Sequence, residues 1–221
     1  MSIVSPGPAR LLLVRHAEAE WNQSGRYQGR SESRLSPRGE EQAQALANRL
    51  ATSGVVAIVA SPLRRASETA QIVARRLGLA VVTDNHLLEL AYGEWEGLSQ
   101  PEVKLRWPKM LRLWKTAPEQ VTFSSGESLK DVCERVRSFL ASAAAQAGPL
   151  LVVTHDAVVR VAVLEARAEP LSEFRRVRVE NASITTLVRQ GNRFTVERIN
   201  DVGHLEGGGV QPRRDPSGAS G

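Results

Sequence analysis

Apolar residues fall along this chain in two rhythms. Residues 11–14, 55–60, 79–82 and 150–154 are short apolar runs, the pattern of strands covered on both faces. Between them the spacing changes to three and four. Ala43, Leu46, Ala47 and Leu50 form one helical stripe, and Ala66, Ala70, Val73, Ala74 and Leu77 a second. Leu129, Val132, Cys133, Val136, Phe139, Leu140 and Ala143 form the longest. Ser36-Pro37 and Ser61-Pro62 each read as a capping serine followed by proline at the first helical position, where the missing N–H costs nothing. Gly78 reads as a helix stop, and Gly148-Pro149 ends the helix opened by Gly126-Glu127-Ser128. Residues 157–165 read as a further helix, and 184–189 with 194–199 as a hairpin around Gln190-Gly191-Asn192. Strand and helix alternate, so the expected class is α/β with a largely parallel sheet.

A chain of 221 residues can bury one substantial core. The expected organisation is a flexible N-terminal arm over 1–9, a domain over 10–206 and a disordered tail over 207–221, rich in Gly, Pro, Ser and Arg. Within the domain, 98–125 reads as a helical cap insertion carrying Trp107 and Trp114. No apolar run approaches membrane-span length, the first residues lack the layout of a signal peptide, and Cys133 has no partner for an internal disulfide. A cytoplasmic protein without membrane contact is expected. The net charge of +5 invites a nucleic-acid reading, but the basic residues form no dense run and no aromatic platform lies among them. Nucleic acid is therefore not an expected partner. Only four of the basic residues are lysines, and Lys104, Lys109 and Lys115 share the cap with Arg106 and Arg112. Some of these cations are expected to face the opening of a site.

Two strands end in histidine. The first delivers Arg15 and His16 to its C-terminal edge, and the strand at 150–154 delivers His155. Such edges are where open α/β sheets keep their chemistry. A His beside an Arg is, alone, as well explained by ordinary packing. Arg64 and Arg65 both fall just after the second strand, where cations oppose the helix dipole unless an anion lies near. Glu89 stands between Leu88 and Leu90, a setting that would desolvate a carboxylate and raise its pKa, though an ordinary edge-strand carboxylate fits equally. If the two histidine strands are neighbours, two imidazoles and several guanidiniums meet. A zinc site from His16, His155 and Glu89 is conceivable, but adjacent arginines would repel the metal and no close histidine pair exists. The set favours an anion, and phosphate over carboxylate, because donors surround it.

The segments VRHAEAEWN, GRYQGRSESRLSPRG, SPLRRASETA, LLELAYGEWEG, GES and VVTHDAVVR, in this order over residues 10 to 205, resemble the histidine phosphatase superfamily, which includes cofactor-dependent phosphoglycerate mutases. The resemblance implies a three-layer α/β/α sandwich around a mixed, mainly parallel six-stranded sheet. It also implies that His16 is the phosphorylated nucleophile and that Arg15 and Arg65 bind the phosphoryl oxygens. Arg65 is preferred to Arg64 because the family's arginine lies four residues after the serine, here Ser61. His155 would be the second histidine, Glu89 the acid and base, and Asn22, Gln28 and Gly29 would line the pocket. No metal and no cofactor is implied, and a homodimer is left open.

Three positions depart from the family pattern. Ala17 follows the first histidine in place of glycine, Glu32 stands where Asp is common, and Asp156 replaces the glycine after the second histidine. Asp156 is expected to point into its helix N-terminus, which favours an acidic side chain; recognition of a polar substrate group is the alternative. The expected activity is a metal-independent phosphatase acting on a small phosphorylated metabolite through phosphohistidine. The basic cap suggests a second anionic group on that substrate. A phosphoglycerate-type mutase is the alternative, and an inactive phosphate-binding module comes third.

Overall fold

The computed structural model describes residues 10–191 and 193–206; the expected arm over 1–9 and tail over 207–221 lie outside them. Strand β1 (Arg10–Arg15) leads through a short helix α1 (Glu20–Gln23) and a loop to helix α2 (Pro37–Leu50). Strand β2 (Ala57–Ala60), helix α3 (Arg64–Leu77) and strand β3 (Val81–Thr83) follow. Helices α4 (Gln100–Arg106) and α5 (Pro108–Thr116) fall within residues 98–125, and then come α6 (Leu129–Ala143), β4 (Leu150–Thr154) and α7 (Asp156–Arg167). The hairpin β5 (Ile184–Gln190) and β6 (Arg193–Asp201) completes the sheet.

The six strands lie in the order β3-β2-β4-β1-β5-β6. The first four are parallel to one another, β5 is antiparallel to β1, and β6 is antiparallel to β5. Alternation within each strand feeds two cores. Leu11, Leu13, Leu150 and Val152 face the side covered by α6 and α7, while Val14, Leu151, Val153, Ile58 and Ala60 face α2 and α3. Three layers follow, as expected. Because β1 and β4 are parallel and paired Arg15 to Thr154, the residues after them, His16 and His155, emerge side by side. The main-chain N–H of His16 still donates to Thr154 O at 2.8 Å, so the register persists to the edge.

Boundaries differ from expectation in a few places. Helix α3 does not begin at Ser61-Pro62. Ser61 N–H continues the sheet by donating to Val153 O at 2.9 Å, and the helix starts at Arg64, with Leu63 at the cap position. Leu63 offers no side-chain acceptor, so Glu32 Oε2 accepts from Arg64 N–H at 2.9 Å. Gly78 closes the helix in the left-handed region (φ 68°), as expected. Strand β3 begins two residues later than the apolar run suggests, and α6 stops at Ala143, short of Gly148-Pro149. Within the cap, Trp114 is buried and meets Tyr92, Phe123 and Phe174 ring to ring, so this tryptophan is packing.

Candidate active site

His16 leaves β1 with its ring almost wholly buried. Its Nδ1 lies 2.7 Å from the carbonyl of Ala17. A carbonyl only accepts, so Nδ1 carries the proton and Nε2 presents a lone pair. The small Ala17 makes this contact without strain: its N–H donates to Thr69 Oγ1 at 3.1 Å, and its methyl packs with Leu35, Ala43 and Ala182. The substitution for glycine is thus absorbed. Burial first, then the charges of Arg65 and Arg15, hold the His16 pKa well below 6.5. The ring is neutral at pH 7.

Arg65, the second residue of α3, is fully buried and points inward, while Arg64 lies on the exposed face and pairs with Glu68 at 2.7 Å. The Arg65 guanidinium donates from each of its three nitrogens. Nη2 donates to Gly29 O at 2.7 Å, Nη1 to Ser31 O at 3.0 Å, and Nε to His16 Nε2 at 3.2 Å. Burial lowers its pKa to about 10, which leaves it a cation at neutral pH. Arg15, on the other side of His16, donates to Val179 O at 2.9 Å and lies 3.5 Å from Asp156 Oδ1.

His155 caps α7 and meets His16 edge-on, with ring centroids 5.1 Å apart. Its Nε2 is 2.8 Å from the hydroxyl of Ser61, while its Nδ1 is buried without a hydrogen-bond partner. Burial, Arg65 and His16 lower its pKa well below 6.5. Glu89 sits in the turn after β3, and its Oε1 accepts from Leu90 N–H at 2.9 Å and Ala157 N–H at 3.2 Å. Burial raises its pKa, with the charge of Asp156 next and Arg65 opposing. The protonated form of Glu89 is therefore favoured beyond the ordinary range.

Arg15, His16, Arg65 and Glu89 line one small polar cavity of ≈ 30 Å³. Asn22, Gln28 and Gly29 line it too. His155 stands behind His16. Asp156 does not turn away into the helix N-terminus; it lines the cavity and accepts from Arg160 Nε at 2.7 Å, because two arginines flank it. The cap cations Arg106, Lys109 and Arg112 are exposed and absent from the lining, whereas the partly exposed Arg26 lines the cavity with Tyr27 and Tyr92. Ser61 escaped sequence reasoning because Ser-Pro reads as a helix cap. Among the described residues, no group of three or more His, Cys, Asp or Glu is placed to hold a metal ion. A larger groove beside α6 and α7 contains Arg137, Leu140 and Glu165 but no imidazole.

A three-layer sheet whose parallel edge brings two neutral imidazoles between buried guanidiniums defines a phosphoglycerate mutase-like α/β protein. The chain belongs to the histidine phosphatase superfamily (branch 1), whose family model matches residues 11–202. Phosphoserine phosphatase 1 of Hydrogenobacter thermophilus is 35% identical over 198 residues, covering 89% of this chain and 94% of that protein. A probable phosphoglycerate mutase, GpmB, of Erwinia tasmaniensis is 31% identical over 204 residues, covering 89% and 95%. The structure of a mycobacterial glucosyl-3-phosphoglycerate phosphatase complexed with VO3 matches with a TM-score of 0.81 at 29% identity, covering 86% of this chain and 98% of that one.

Proposed function

We propose that this enzyme of the histidine phosphatase superfamily hydrolyses a small phosphomonoester through a phosphohistidine at His16. The observation that carries the reading is the pinned tautomer. With Nδ1–H donated to Ala17 O, the Nε2 lone pair faces Arg65 and the cavity. An incoming phosphoryl oxygen would take over the Arg65 Nε–H, freeing Nε2 to attack phosphorus in line. Arg15, Arg65 and His155 would hold the equatorial oxygens, spreading charge over fixed donors. Glu89, protonated, would give its proton to the leaving oxygen. As a carboxylate it would then take a proton from the water that attacks the phosphohistidine, and inorganic phosphate would leave.

A phosphoglycerate-type mutase is the second reading, favoured by the likeness to the probable mutase of Erwinia. It shares the first step but must return the phosphoryl group to a second hydroxyl. Phosphate release from a panel of phosphomonoesters in EDTA, with the protein and its His16→Ala variant, separates the readings. Release that survives EDTA and disappears in the variant supports the phosphatase. An acid-labile phosphoprotein without release supports the mutase, and neither result leaves only a binding role. A second anionic group on the substrate belongs to the same proposal, with Arg26 as its cation. A cytoplasmic site of action is part of it too, in keeping with the buried free thiol of Cys133; cell fractionation tests that.

A further inference from the structure

Glu96 lies outside the reacting groups, just after the short 3-10 turn Gly93–Trp95, yet its carboxylate joins two segments beside the cavity, the 29–31 loop and the turn at Tyr92. Oε1 accepts from the main-chain N–H of Arg30 at 3.0 Å and of Tyr92 at 3.1 Å, and Oε2 accepts from the Ser31 hydroxyl at 2.8 Å. The carbonyls on either side of Arg30, those of Gly29 and Ser31, are the two that grip the Arg65 guanidinium. Its Nε–H donates to His16 Nε2. An unbroken series of contacts thus runs from Glu96 through the 29–31 loop to Arg65 and the imidazole. Gly29 is in the left-handed region (φ 52°), and a Cβ there would overlap Glu96 Oε1, so backbone and carboxylate are packed directly together.

Charge-assisted hydrogen bonds from three donors on two loops make a stiff fastening. Were Glu96 merely filling a surface turn, its oxygens would have no cause to take donors from both sides of the cavity. We propose that Glu96 is a positioning residue: by fastening the 29–31 loop to the Tyr92 turn, it sets the seat of the Arg65 guanidinium and with it the anion affinity of the cavity. The proposal rests on reading Arg65 as the cation that receives the phosphoryl group.

The test compares the full chain with its Glu96→Ala and Glu96→Gln variants. Three quantities are measured: affinity for inorganic phosphate by calorimetry, water exchange of the Arg65 Nε–H signal by NMR (assigned by its loss in Arg65→Lys), and the melting temperature. Glu96→Ala is expected to weaken phosphate binding about tenfold and to speed Nε–H exchange by a similar factor, since small misplacements of a fixed cation are costly. Glu96→Gln keeps an acceptor for both N–H groups and is expected to stay within about threefold on both measures. Unchanged phosphate affinity and exchange in Glu96→Ala would overturn the proposal, even with a lower melting temperature. Should Glu96→Ala not fold, Ser31→Ala removes one of the three bonds. It is expected to move both measures in the same direction by about twofold, and no movement overturns the proposal equally. Neither measure depends on turnover, so absence of phosphatase activity would defeat the functional reading while this comparison still decides the role of Glu96.

Discussion

The hydroxyl of Ser61 lies 2.8 Å from Nε2 of His155, joining the end of β2 to the end of β4. This contact fixes the second imidazole from behind, with its other nitrogen, Nδ1, buried and unpartnered. The two imidazoles are thereby held edge to face, with ring centroids 5.1 Å apart.

Ser61→Ala leaves both ring nitrogens of His155 buried without a partner among the described residues. The expected cost is about 1 kcal/mol of stability, seen by denaturant unfolding. Turnover should suffer more: kcat/KM is expected to fall about tenfold, because the imidazole loses its fixed orientation toward the transferring group. Wild-type kinetics in a folded Ser61→Ala protein would show that the hydroxyl has no such role.

Glu89 is expected to link pH to both stability and rate. Its pKa is raised by burial and by Asp156, so the folded chain holds a proton that the unfolded chain releases. The resulting stability is complete below the unfolded value of about 4.5 and is lost as pH rises through the raised folded value. Glu89→Gln keeps an acceptor for Leu90 and Ala157 without a charge. It should therefore melt above wild type near pH 8 and with it near pH 4, while turnover falls about a hundredfold or more. His16 and His155 act in the opposite sense. Their lowered values contribute stability that is present above 6.5 and lost as pH falls through the folded values. His16→Gln should flatten that acid-side decline in melting temperature.

Much of this site was readable from residue order, for a physical reason. Strands covered on both faces are continuous apolar runs, so the polar Arg15-His16 and His155 mark the edge where each run ends. Parallel pairing of β1 with β4 then placed the histidines together. Periodicity was silent on what depends on direction. Arg64 and Arg65 are adjacent in sequence but diverge by a third of a helical turn, and only the family likeness chose between them. Ser61 carried the signature of a cap, and the sheet claimed it instead. Asp156 had an equally favourable place at its helix N-terminus, but Arg15 and Arg160 draw it into the cavity. Glu96 lay in a turn-rich stretch with no periodic signal at all.

Asp156 sits where its charge reaches both Glu89 and Arg15. Asp156→Asn preserves an acceptor for Arg160 but removes the negative charge that helps raise the Glu89 pKa. The alkaline limb of the kcat/KM profile reports the group that must be protonated to release the leaving oxygen. That limb is expected to move to lower pH in Asp156→Asn, with the acid limb less affected. A profile identical to wild type would separate the limb from Glu89 or the charge of Asp156 from both.

The exposed cations of α4 and α5 and the partly exposed Arg26 of the cavity lining predict different behaviour. Arg106, Lys109 and Arg112 are exposed and outside the lining, so salt screens them from a substrate in the cavity. Arg26 lines the cavity, held by Gly97 O at 2.6 Å and by Glu102 at 3.4 Å. Replacing the three cap residues together with Gln is expected to change kcat/KM for any phosphomonoester by no more than about twofold at moderate salt. Arg26→Gln is expected to raise KM about fivefold or more for phosphorylated acids, with little change for an ester of an uncharged alcohol. Steady-state kinetics on one charged and one uncharged ester check both. A loss confined to the triple variant would move recognition of the second anion to the cap, where the spacing of its lysines and arginines first suggested it.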